Sequence, residues 1–143
     1  MSEKRQRPLG RRQKAELDTI IGFYEGLLRR DPQDHDVLEL LAESYVQRGR
    51  VDDGLRIDHR LAEMRPNDPQ VRYNLACSLA LNGRLDEAAA ELERALDCGY
   101  EDFQWLDEDP HLDPLPSEPS FRKLRAKIRQ LRGKTPDTKD CQG

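Results

Sequence analysis

Thirty-four residues separate two versions of one pattern, QRGRVDDGLRIDHRLA at 47–62 and LNGRLDEAAAELERAL at 81–96. The register extends beyond them. Leu41 pairs with Leu75, Ala42 with Ala76, Tyr45 with Leu79, Leu61 with Ala95 and Ala62 with Leu96, while Pro32 and Pro66 open the two units. Each position has a local physical role. Gly49 and Gly83 suit a helix end that needs a positive φ. Asp52, Asp53, Asp86 and Glu87 fall in the first turn of the next helix, where the helix dipole favours negative charge. Small residues at 42, 54, 76 and 88 allow paired helices to approach closely. Two helix-turn-helix units therefore stack along the chain.

The rest of the sequence narrows the class. No apolar run approaches the ~20 residues of a membrane helix, so no span is expected. The basic start MSEKRQRPLGRRQK lacks the apolar stretch of a signal peptide. Three cysteines, Cys77, Cys98 and Cys141, without a CxxC spacing argue against structural disulfides and for a cytoplasmic location. The net charge of −4 hides a segregation. Residues 31–119 carry 8 basic and 22 acidic side chains, a net of −14, against +4 for residues 1–30 and +6 for 120–143.

A 34-residue helix-turn-helix period of this kind resembles the tetratricopeptide repeat (TPR) family. YNLACSLALNGRLDEAAAELERAL is the better of the two matches. The first unit departs from it with Gly54 in mid-helix and with Asp58 where the second has Leu92. Asp58 and Arg72 either meet across the unit boundary or both face water. Ile20, Tyr24, Leu27, Leu28 and Pro32 are in phase with the second helix of a repeat. WLDEDPHLDPL followed by PSFRKL is similar to a C-terminal segment of bacterial-type TPR proteins. The resemblance implies an all-α TPR solenoid with two full repeats, an N-terminal half repeat and an irregular helical C-terminal cap. The expected layout is a single domain over 12–132, with a half repeat at 14–32, repeats at 35–66 and 69–98, and a cap at 101–132. Residues 1–11 and 133–143 are expected to be disordered tails. Trp105 is expected to be buried under the cap with Phe103, Leu106, Leu112, Leu115, Phe121 and Leu124.

In TPR proteins the first helix of each unit lines a concave groove. Carried over by position, the partner-binding groove is Asp36, Glu39, Glu43, Val46 and Gln47 from one unit. The other contributes Gln70, Tyr73, Asn74, Cys77 and Leu81, with Ala80 beside them. One TPR subfamily uses Lys, Asn and Arg there to hold a C-terminal carboxylate. Asn74 keeps an asparagine place, but Glu39 and Glu43 occupy the matching lysine and asparagine places and would repel a carboxylate. An acidic, partly apolar groove favours a basic or amphipathic protein or peptide segment.

Nothing in the sequence has a catalytic pattern. His35, His59 and His111 are scattered, with no i, i+4 pair and no cysteine at metal-ligand spacing. GxSxG, a phosphate-binding glycine loop and GxGxxG are all missing. Glu39 and Glu43 lie one turn apart, but no apolar pocket surrounds either of them. Cys77 reads as a small buried hydrophobe. The expected function is therefore a non-enzymatic interaction module, with no catalytic residue, metal or cofactor. Phe121, Leu124, Ile128 and Leu131 make one apolar stripe among six cations on the last helix. A capping helix is the leading reading of it. The alternatives are self-association, with residues 120–132 docking in an acidic groove, and, with less support, a nucleic-acid accessory role for the basic ends.

Overall fold

A computed structural model describes residues 8–133. Residues 1–7 and 134–143 of the two expected tails lie outside the described residues, and Arg11 already belongs to the first helix. Seven α-helices follow one another: α1 (Arg11–Arg30), α2 (His35–Arg48), α3 (Val51–Met64), α4 (Pro69–Leu81), α5 (Leu85–Asp97), α6 (Phe103–Glu108) and α7 (Phe121–Arg132). Two 3-10 turns, Pro110–Leu112 and Leu115–Ser117, bridge α6 and α7. The described residues form no strand.

The helix ends show the 34-residue period as chemistry. Asp34 and Asp68 cap α2 and α4, accepting hydrogen bonds from Val37 N and from Gln70 N and Val71 N. Gly49 and Gly83 follow α2 and α4 with φ of +90° and +76°. Arg50 and Arg84 precede α3 and α5, and each binds the acid three residues on, Asp53 or Glu87, at 2.8 Å. The capping continues at Asp102, another 34 residues along, whose carboxylate accepts from Trp105 N. The cap thus starts as a third repeat would. Its first helix stops at Glu108 because Pro110 and Pro114 cannot continue a helical ladder.

Consecutive helices α1 to α5 pack pairwise, and α7 closes the last repeat by packing on α5. Leu38, Leu41, Leu61, Leu79, Leu92, Ala76, Ala88 and Ala95 form the centre of one apolar core, which runs into Leu112, Leu115, Phe121, Leu124 and Ile128 of the cap. Gly54 faces α2 so closely that a Cβ there would meet Val46 Cγ2 at 3.0 Å and the Ala42 carbonyl at 3.4 Å. The mid-helix glycine therefore serves helix approach. Two of the six cations of α7 pair with acids of its own chain. Lys127 pairs with Glu93 at 3.4 Å and with Asp97, Arg132 pairs with Asp107, and Ser120 Oγ donates to Asp86 at 3.2 Å. Because the apolar stripe of α7 is buried in its own domain, docking that stripe in another molecule's groove would require the cap to open.

Two expectations are corrected. Trp105 is 45% exposed. Six residues of α6 bury one face, Leu106 occupies it, and Trp105 is turned about 100° away. Asp58 and Arg72 do not meet, and neither faces water. Asp58 accepts from Ser78 Oγ in mid-α4, while Arg72, ~9 Å earlier along that helix, donates to the Pro66 carbonyl at 2.8 Å and to Glu91 at 3.0 Å. No helix among the described residues is long and apolar enough to cross a membrane.

Candidate functional site

α2 and α4 lie side by side as the first helices of the two repeats, so their outward faces form one concave wall. The 3-10 turn Pro110–Leu112 packs on α4 and makes the second wall. Between them lies a groove of about 650 Å³. Glu39, Glu43, Val46 and Gln47 of α2 line it, together with Gln70, Tyr73, Asn74, Cys77 and Leu81 of α4. Asp36, in the first turn of α2, is exposed and does not line it.

Not all of these positions offer a free side chain. Tyr73 is 2% exposed, its ring stacked on Tyr100 with centroids 4.3 Å apart. Its hydroxyl donates to Asp109 Oδ2 at 2.7 Å. It therefore forms the groove floor and offers no free side chain to a ligand. Cys77 is also buried, with Sγ 3.4 Å from Asp109 Oδ2. Gln70 Nε2 donates to Asn74 Oδ1 at 2.9 Å, and Glu39 lies 2.9 Å from His35 Nδ1.

The C-terminal segment adds residues that the positional argument did not supply: Trp105, Asp109, Pro110 and His111. With Leu40, which is also exposed, Trp105 puts apolar surface on the rim. Asp109 caps the 3-10 turn by accepting from His111 N at 2.9 Å. The aspartate-proline pair was readable as a turn signal. The return of that turn onto α4 had no local signature.

The groove is acidic at two depths. Glu39 and Glu43 lie on the α2 wall, and Asp58 and Asp109 lie beneath them, 5% and 4% exposed. No Lys or Arg is among the described residues lining it. Burial pushes the Asp58 carboxyl up to about 6, against the opposing hydrogen bond from Ser78, and nearby Glu39 adds to the rise. Burial likewise raises the Cys77 thiol, with the Asp109 charge adding to it, and raises the Tyr73 hydroxyl well above its ordinary value. Deprotonated thiol or phenol nucleophiles are thus disfavoured here.

Comparison with known proteins agrees with the geometry. The family model described as tetratricopeptide repeat matches residues 40–102. The peroxisomal targeting signal receptor of Saccharomyces cerevisiae is 32% identical over 55% of this chain, and that of Candida glabrata is 31% identical over 57%. The chain spans only 13% and 14% of the length of these relatives. No solved structure gives a significant match. Residues 40–102 are thus similar to the tetratricopeptide repeat, in keeping with the all-helical repeat seen there.

Proposed function

We propose that this protein is a non-enzymatic module that holds a basic or amphipathic segment of a partner protein in the α2–α4 groove. The observation that carries the proposal is the groove's charge. Four carboxylates line it, Glu39, Glu43, Asp58 and Asp109, without a lysine or arginine among them. Rim carboxylates steer a cationic ligand and lose effect with salt. Leu40, Val46 and Trp105 supply apolar surface beside those charges, and an indole face also attracts cations. The yeast relatives are named as receptors of a targeting signal, which supports a short segment as the ligand.

The test is titration with a basic amphipathic peptide and with its acidic counterpart, read through Trp105, the single tryptophan. The basic peptide should change the emission saturably, with weaker affinity at high salt. Equal binding of both peptides, or a preference for the acidic one, would refute the proposal.

A further inference from the structure

We propose that Cys77, Asp109 and His111 form a three-ligand site for a borderline divalent cation of the Zn²⁺ class, its fourth coordination position opening into the groove. One donor atom from each of the three residues lies within 4.8 Å of the others. Cys77 Sγ is 3.4 Å from Asp109 Oδ2, and His111 Nδ1 is 3.6 Å from Asp109 Oδ1. A tetrahedral centre with metal–ligand bonds of ~2.0–2.3 Å has donor–donor edges of about 3.3–3.7 Å. Both edges to Asp109, one to each of its oxygens, fall in this range, and the Cys77–His111 edge is bounded at 4.8 Å, within a small side-chain adjustment of a metal tripod. A thiol, an imidazole and a carboxylate together suit zinc or cobalt better than an all-oxygen cation such as calcium.

Two further features point the same way. Asp109 is held by outer hydrogen bonds, Tyr73 hydroxyl to Oδ2 at 2.7 Å and His111 N–H to Oδ1 at 2.9 Å. Such contacts orient a ligating carboxylate. Asp109 is also a buried carboxylate whose basic neighbour in ion-pair reach, among the described residues, is His111. A buried carboxylate without a full counter-charge is costly, and a bound cation would supply one. Access exists because the His111 side chain is 34% exposed and lines the groove. The other candidate cluster, His35, Asp36 and Glu39, lacks a thiol, has Asp36 exposed, and already engages His35 Nδ1 with Glu39 at 2.9 Å.

Cation binding would displace the Cys77 thiol proton to solvent and link α4 to the 110–112 turn. The experiment titrates the full 143-residue chain with Co²⁺ alone and then adds Zn²⁺. The expected result is saturation at one equivalent, with a thiolate-to-cobalt charge-transfer band and tetrahedral visible bands that zinc removes. Cys77→Ala should abolish the charge-transfer band. His111→Ala should weaken binding at least ~10-fold with an unchanged far-ultraviolet circular dichroism spectrum. The partly exposed position of His111 keeps that arm decisive even if Cys77→Ala fails to fold. No saturable band, a band that survives Cys77→Ala, or unchanged affinity in His111→Ala would overturn the proposal.

Discussion

Asp58 is a charge in the wrong place for stability, and replacing it should make that visible. It sits on α3 at 5% exposure, accepts one hydrogen bond from Ser78, and has Glu39 nearby, which raises its pKa. The thiol of Cys77 also feels its charge. The equivalent residue in the second repeat, Leu92, is fully buried and apolar. Burial lifts the Asp58 pKa from 3.8 to about 6. At ~1.4 kcal/mol per pKa unit, ionised Asp58 costs the native state about 3 kcal/mol as an upper value. The sign follows from linkage. Between about pH 4 and pH 6 the folded state binds more protons than the unfolded state, so this group's contribution falls as pH rises through that window. Asp58→Asn removes the charge and keeps an acceptor for Ser78. It should stabilise the protein by about 1–3 kcal/mol at pH 7, or ~4–10 °C in melting temperature for a chain of this size. The gain should vanish below pH 4. Urea melts of both proteins at pH 4, 5, 6 and 7 measure the difference while cancelling the other carboxylates. A variant less stable at pH 7, or a difference independent of pH, would refute the argument.

Two pairs of variants carry further expectations. Gly83→Ala forces a side chain into φ +76° and should cost about 1–2 kcal/mol, whereas Gly22→Ala, with open space at its Cβ in α1, should gain about 0.5–1 kcal/mol; thermal melts of the pair check both signs. Leu115→Ala, at a fully buried cap position, should cost about 2–5 kcal/mol, while Trp105→Ala should cost under ~1 kcal/mol yet weaken peptide binding. Equal destabilisation by those two changes would contradict the placement of Trp105 on the rim.

What the sequence revealed depended on how local the physics was. Gly49, Gly83 and the acids after them act within one turn of their own chain, so their spacing alone located the helix ends. The α2 and α4 groove residues followed from the same period, because residues on one helix face keep their phase. Asp102 continues the period of Asp34 and Asp68 and is equally local, but Pro110 and Pro114 break the helical pattern just beyond it. The remaining features depend on distant contacts. Ser78 reaches Asp58 across the α3–α4 interface, and Asp109 reaches Tyr73 across 36 positions. No periodicity encodes those meetings. Trp105 had the composition of a core residue, and only the phase of the short α6 placed it at the groove.

The most direct test of the groove's role is the affinity of a basic amphipathic peptide for the wild-type chain and for Glu39→Lys/Glu43→Lys, measured calorimetrically at low salt. Both glutamates are wall residues outside the buried core, so the fold should survive the change. Opposed charges steering the peptide predict at least ~10-fold weaker binding by the variant and a gain in affinity for the acidic peptide. Unchanged affinity for the basic peptide in a folded variant would mean that the groove is not where the partner binds.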